Sequence, residues 1–196
     1  MPLFSMPSPL GHYIELRLRP DPEVVPTHLL AALYTRAHRT LAAQGSTNIA
    51  VTFPDYSAER HTLGERLRLH GSEADLQPWA TGQWLGSLRD HVSAAPVAAV
   101  PAHAQHRTLR RVQVKSSPER LRRRLMKRHQ LSEAQARERI PDSVACTTNL
   151  PYLQLSSTST AQQFKLFLAL GGAQNGVQTG DFNAYGLSTT ATVPWF

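Results

Sequence analysis

Cysteine is almost missing from this chain: Cys146 is the one copy in 196 residues. A lone thiol excludes an internal disulfide framework and a zinc ribbon alike, and a reducing, cytoplasmic setting is the simplest expectation. Long apolar runs are missing too. No stretch approaches the roughly 20 apolar residues needed to cross a bilayer, so no membrane partner is expected. Residues 1–11 have neither the basic start nor the continuous apolar stretch of a secretory leader, and Pro2, Pro7 and Pro9 disfavour a helix there. They read as a loose extension. His103 and His106 share a short spacing, but no neighbouring Asp, Glu or Cys set completes a metal site, and neither metal nor cofactor is expected. The remaining shortage is of acid. Against 21 Lys and Arg there are 14 Asp and Glu, a net charge of +7 with a pI near 10.2. That balance points to a polyanionic partner, nucleic acid foremost.

What is present is 41% hydrophobic and 18% charged, the balance of a soluble globular protein with room for two small domains. Tyr13 to Leu18 alternates, with Ile14, Leu16 and Leu18 on one face, and predicts a strand. Pro26 opens a helix to about Gln44, with Leu30, Leu33, Ala37 and Leu41 at helical spacing and Gly45 as its stop. Ile49, Val51 and Phe53 form a second strand, and Arg66 to His70, with Leu67 and Leu69 inward, a third; the two read as hairpin-connected. A second helical region spans Ser72 to His91, interrupted near Pro78 and Gly82, and Val97 to Val100 supplies a fourth strand. The order βαββαβ is that of a ferredoxin-like (RRM-like) domain, which sets a fold class and no function. The Pro- and Ala-rich stretch from Ala94 to Ala104 marks a boundary. The expected organisation is α+β: an extension over residues 1–11, a ferredoxin-like domain over 12–103 and a C-terminal α+β domain over 104–196.

The second half holds the charge. Extended chain over Thr108 to Lys115 leads to Ser117-Pro118-Glu119, which reads as N-cap, helical proline and first-turn acid. In the helix from Pro118 to His129, Arg120, Arg124 and Lys127 or Arg128 share one face, and Leu121 and Leu125 form the opposite stripe. A solvated surface helix usually mixes signs, whereas Glu119 is the only acid here; the bias favours nucleic acid. Ser132 and Gln135 form a capping box for a further helix that stops at Pro141. Strands return at Tyr152 to Leu155 and Phe164 to Leu168. On the extended lead-in, Arg111 and Gln113 project the same way and can read guanine and adenine edges, while arginines on the helix position phosphates.

The segments Leu16-Arg17-Leu18-Arg19-Pro20-Asp21-Pro22, Leu63-Gly64-Glu65-Arg66-Leu67-Arg68, Arg111-Val112-Gln113, Lys115 through His129, Leu131-Ser132-Glu133 and Arg139-Ile140-Pro141-Asp142 do not stand alone. With Tyr185-Gly186-Leu187-Ser188 and Val193-Pro194-Trp195-Phe196, they make the chain resemble, from about His12 onward, the type I-F CRISPR repeat-processing endoribonucleases. The resemblance implies a C-terminal domain whose arginine-rich helix, with Arg120, Arg123, Arg124, Lys127 and Arg128, enters the major groove of a repeat hairpin. Lys127 stands where the family has arginine. It also implies that Arg111 and Gln113 read the bases nearest the cut, that Phe164 stacks on the terminal base pair, and that Ser159 and Thr160 help fix the nucleotide there. His38 is implied as general base toward the ribose 2′-hydroxyl, Ser157 as the residue holding that hydroxyl, and Tyr185 as the residue orienting the imidazole. Product would be a 2′,3′-cyclic phosphate, formed without metal. The implied partners are the repeat hairpin, the mature guide RNA and the other subunits of a type I-F surveillance complex, with the free protein a monomer.

Two other classes compete. The helices Pro118 to His129 and Ser132 to Ile140 have the length of a helix-turn-helix, as in a DNA-binding regulator, which would prefer duplex DNA and need a dimer. An RNA-hairpin-binding subunit that has lost cleavage is the other; the joint presence of His38, Ser157 and Tyr185 argues against it.

Overall fold

A computed structural model describes residues 10–114, 118–141, 148–157 and 162–196. The protein is α+β with antiparallel sheets, and its contacts divide it into one unit of residues 1–112 with 150–196 and another of residues 113–149.

In the larger unit, strand β1 (His12–Leu18) is followed by helix α1 (Pro26–Gln44), then β2 (Ala50–Thr52), β3 (Arg66–Gly71), helix α2 (Glu73–Ala80), a 3-10 segment (Gln83–His91), β4 (Val92–Ala94) and β5 (Ala98–Ala99). The sheet order is β2-β3-β1-β4, with β5 also on β1. Helix α1 begins as its sequence predicts, on Pro26 after an extended Val25, where a missing N–H costs nothing, and ends on Gly45 in the left-handed conformation (φ 60°). Leu30, Leu33, Ala37 and Leu41 are all buried on one face of α1, together with Tyr34. Burying each leucine contributes about 1.5–3 kcal/mol, which is why the 3.6-residue pattern locates this helix so well.

Three details depart from the sequence reading. The fourth strand comes in two pieces on β1, and the first, Val92–Ala94, precedes the expected Val97 to Val100. Pairing runs Leu16 with Ala94 and Leu18 with Val92, then His12 with Ala99, a register shifted by one residue across Pro96, which has no N–H to give a ladder. Pro78 lies inside α2 and does not end it; the interruption comes at Gly82 (φ 67°). Leu10, assigned to the loose extension, is 5% exposed, while residues 1–9 lie outside the described residues.

Strand β3 is buried on both faces. Arg68 donates from Nε to Glu15 Oε2 (2.7 Å) and from Nη1 to the Phe196 carbonyl (2.6 Å), with its guanidinium carbon 4.0 Å from the Phe196 ring centroid. His70 sits beside it against Thr52 Oγ1 (2.9 Å), and burial pushes its pKa down to about 3. A buried charge is tolerated only when partnered: Arg68 keeps its charge through Glu15, and His70 is neutral. Alternation alone would have turned both outward.

The larger unit also holds β6 (Gln105–Arg107), β7 (Leu109–Val112), β8 (Tyr152–Ser156), β9 (Gln163–Leu170) and β10 (Val193–Trp195), arranged as a β7-β9-β8 sheet and a β10-β6 pair. Leu153, Leu155, Leu166 and Leu168 of β8 and β9 belong to the same buried cluster as Leu30 and Tyr34.

In the smaller unit, α3 (Pro118–His129) and α4 (Glu133–Arg139) are the two helices. The capping box at α4 forms as expected, with Ser132 Oγ accepting from Gln135 N and Gln135 Oε1 from Ser132 N. The proposed N-cap of α3, Ser117, lies outside the described residues.

Candidate active site

Tyr34 and His38 are four residues apart on α1 and so share a face one turn apart. Each reaches one carbonyl of the same distant loop. The Tyr34 hydroxyl donates to the Tyr185 carbonyl (2.9 Å), and His38 Nδ1 lies 2.7 Å from the Ala184 carbonyl. A carbonyl oxygen can only accept, so Nδ1 carries the proton. In the neutral ring Nε2 is then left with its lone pair, the state a general base requires. The imidazole is stacked on the Tyr185 ring, centroids 4.0 Å apart and planes within 4°. One contact fixes the tautomer and the other fixes the plane.

The loop is built to meet them. Asn183 Oδ1 accepts from the N–H groups of Tyr185 (2.8 Å) and Leu187 (3.4 Å), and the Asn183 carbonyl accepts from Gly186 N (2.7 Å). The Gly186 carbonyl accepts from Val51 N of β2 (2.9 Å). Gly186 has φ +67°, and a Cβ there would fall 2.4 Å from Val51 Cγ2. Only glycine permits both that backbone and that approach. The Tyr185-Gly186-Leu187-Ser188 segment is therefore a turn clamped between α1 and β2. Burial pushes the Tyr34 phenol well above its ordinary pKa, reinforced by Tyr185 and opposed by Arg111; its proton stays available to the carbonyl.

A cleft of about 210 Å³ opens at this point, lined by Thr35, His38 and Arg39 of α1, Ser156, Ser157 and Phe164 at the β8–β9 end, and Tyr185. Ser157 N donates to the Gln162 carbonyl (2.9 Å) as the chain turns from β8 to β9. Arg111, on β7 opposite Leu168, holds its guanidinium carbon 5.7 Å from the centroids of both Phe164 and Tyr185, within cation–π reach. Thus His38, Ser157, Tyr185, Phe164 and Arg111 are brought together from α1, β7, β9 and two turns. Phe164 is half-buried, with Leu166 and Leu168 continuing its face into the core. The cleft offers a base, a hydroxyl, an aromatic face and a cation around one space, suited to deprotonating a hydroxyl beside an anionic group.

The other sequence-predicted residues lie elsewhere. Gln113 is exposed and belongs to the smaller unit. Ser159 and Thr160 lie outside the described residues. On α3, Arg120, Arg123, Arg124, Lys127 and Arg128 are exposed, whereas Leu121 and Leu125 are half-buried. Arg123 lies 3.8 Å from Glu119. Arg122 departs from the rest: it is 7% exposed and donates from Nε to the Ile140 carbonyl (2.8 Å), closing α3 on the end of α4. Among the described residues, no group of three or more His, Cys, Asp or Glu could hold a metal ion, and no helix is long and apolar enough to cross a membrane.

Sequence reasoning missed Tyr34, Asn183 and Ala184, and gave Gly186 no role beyond its place in the Tyr185-Gly186-Leu187-Ser188 segment. Tyr34 reads as core, and a main-chain carbonyl leaves no signature in a sequence. The signals available were the spacing of four between Tyr34 and His38 and the glycine next to Tyr185.

Residues 13–196 match the protein family described as CRISPR-associated protein (Cas_Csy4). The chain is similar to the CRISPR-associated endonuclease Cas6/Csy4 of Pseudomonas aeruginosa (strain UCBPP-PA14), 49% identical over 187 residues that cover 95% of this chain and 100% of that protein. It is also similar to the CRISPR-associated endonuclease Cas6/Csy4 of Escherichia coli (strain UTI89 / UPEC), 44% identical over 187 residues with the same coverage, 95% and 100%.

Proposed function

The chain belongs to the Cas_Csy4 family of CRISPR-associated endonucleases, and from that premise we propose that it cuts CRISPR precursor RNA at the 3′ base of the repeat hairpin, with its own side chains and no metal ion. The observation that carries this reading is the state of His38: Nδ1 bonded to Ala184, ring plane held by Tyr185, Nε2 left as the base.

In this mechanism Nε2 of His38 takes the proton of the ribose 2′-hydroxyl, which Ser157 holds in place. The 2′-oxygen attacks the adjacent phosphorus, the bond from phosphorus to the 5′-oxygen breaks, and the leaving oxygen takes up a proton. A 2′,3′-cyclic phosphate and a 5′-hydroxyl result. General base catalysis of this kind contributes about 10²–10⁴-fold. Tyr185 is a positioning residue that keeps the imidazole in line.

Recognition is assigned to the cations and the aromatic face. Arg111 and Gln113 read the bases next to the cut, Phe164 stacks on the terminal pair, a contact worth roughly 1–3 kcal/mol, and Ser159 and Thr160 fix the nucleotide there. Arg120, Arg123, Arg124, Lys127 and Arg128 of α3 track phosphates in the groove of the stem, which a short hairpin leaves open near its end. The strand order β2-β3-β1-β4 supports reading residues 12–103 as ferredoxin-like; residues 104–196 are the RNA-binding half. The protein acts in the cytoplasm as a monomer and stays on the cleaved hairpin as the subunit that carries the guide RNA in a type I-F surveillance complex.

The test incubates the protein with its host's repeat RNA in EDTA, beside His38→Ala and a substrate with a single 2′-deoxy at the cut. Cleavage of the unmodified RNA by wild type, slowed about 10²–10⁴-fold by His38→Ala and abolished by the 2′-deoxy, which removes the nucleophile, while hairpin binding persists in both, is the expected result. Wild-type protein that binds without cutting would reduce the assignment to an RNA-binding subunit. Cleavage that survives His38→Ala would mean a different base.

A further inference from the structure

Beside the cleft that holds His38 lies a second and larger one, about 600 Å³, which shares Thr35, Arg39 and Ser156 with the first. It runs from the shared residues along α1 toward His28. On that face stand His28, Arg36 and Arg39, all exposed, and their positions recur at helical spacing over about 15 Å of helix. No carboxylate lines this cleft, and among the described residues neither arginine makes an ion pair. The opposite wall carries Gln154 and Gln163, whose side-chain amides are bonded to each other at 3.3 Å. No Phe, Tyr or Trp lines it. The lining is cationic and amide-rich, suited to sugar and phosphate, with the His28 ring at its far end as the one flat face.

Arg36 also runs close to the 3-10 segment. The 3-10 segment breaks at Gly86, where φ is 55° and ψ −127°. A Cβ built on Gly86 would lie 2.6 Å from Arg36 Nη2. The guanidinium therefore comes up against the main chain at Gly86, where a side chain would push it aside.

We propose that this second cleft receives the single strand 3′ to the cut, with Arg36 and Arg39 on its phosphates. The inference rests on the endoribonuclease reading above and deepens it by naming where the leaving strand lies. Neither Arg111 nor Phe164 lines the second cleft, which joins the first through Thr35, Arg39 and Ser156; a stem docked on them would deliver its 3′ continuation past His38 toward Arg39 and Arg36. Because the cleft offers mainly cations and amides, and no Phe, Tyr or Trp, it grips the flank through its backbone and is indifferent to its bases.

The experiment measures binding of two uncleavable hairpins, each 2′-deoxy at the cut, one ending at the first nucleotide past the scissile phosphate and one carrying a run of uridines at its 3′ end. Wild type is expected to bind the extended RNA roughly two- to thirtyfold tighter, the range that two exposed cation–phosphate contacts supply. Its salt slope should be steeper by about 1.4, at about 0.7 per single-strand phosphate. Arg36→Ala should remove about half of both differences, Arg36→Lys should restore most of them, and adenosines should replace uridines without effect. The truncated hairpin should bind Arg36→Ala and wild type alike. If wild type cuts the repeat but binds both hairpins equally, or if the gain follows a 5′ extension, this inference falls and the nuclease assignment stands. If wild type neither binds nor cuts the repeat, the assignment itself has failed.

Discussion

His38 and the Ala184 carbonyl meet at 2.7 Å across 146 residues of sequence, whereas the arginines of α3 all lie between Pro118 and His129. The first region is assembled from remote segments and held by part-buried hydrogen bonds and a stacked ring. The second is a single amphipathic helix whose Arg120, Arg123, Arg124, Lys127 and Arg128 stand in solvent. Chemistry and grip make different demands. A base must sit within a fraction of an ångström of its proton, and packing alone supplies that precision. A phosphate contact tolerates movement, because the attraction between charges falls off slowly with distance.

The comparison breaks if changes in the first region act on binding or changes in the second on rate. Gly186→Ala has the largest expected effect. The new Cβ meets Val51 and must adopt a positive φ, so stability should fall by about 1–3 kcal/mol, read as a lower melting temperature. Cleavage should fall with it, since the carbonyls that hold His38 and Tyr34 are displaced. An unchanged melting temperature with full activity would show that the loop is not clamped. Tyr34→Phe removes only the bond to the Tyr185 carbonyl and should cost about 1 kcal/mol of stability. Single-turnover cleavage should slow while hairpin affinity holds; a loss of affinity without a loss of rate would contradict the positioning role. Arg124→Ala should be the mildest. It is expected to flatten the dependence of log affinity on log salt by about 1, with the rate at saturating RNA unchanged. A slower saturated rate would mean that the helix takes part in the chemistry.

The contrast also accounts for what could be read in advance. Helix α1 was legible to its ends, from Pro26 through the leucine spacing to Gly45, because burial and capping are local patterns. The capping box of α4 and the alternation of β1 were legible for the same reason. Strand β3 was half legible: Leu67 and Leu69 point inward as expected, but Arg68 and His70 are buried too, since Glu15, Thr52 and Phe196 come from other segments to receive them. Val92–Ala94 escaped because a strand of three residues with an exposed Ser93 and Ala94 has no period to detect. In the candidate site, the residue types of His38, Ser157 and Tyr185 came from likeness to a family. Composition and spacing alone leave His38 as one of 9 histidines.

By itself the sequence determined the excess of positive charge, the helix that carries much of it, and the strands and helix whose apolar periods demand a core. Those properties depend on neighbours within a few residues and on the sum of charges. The tertiary structure alone decided which histidine faces a carbonyl, which nitrogen keeps its lone pair, and why residue 186 must lack a side chain. Each of these is set by an atom more than 100 residues away in the chain, and no local pattern encodes such a distance.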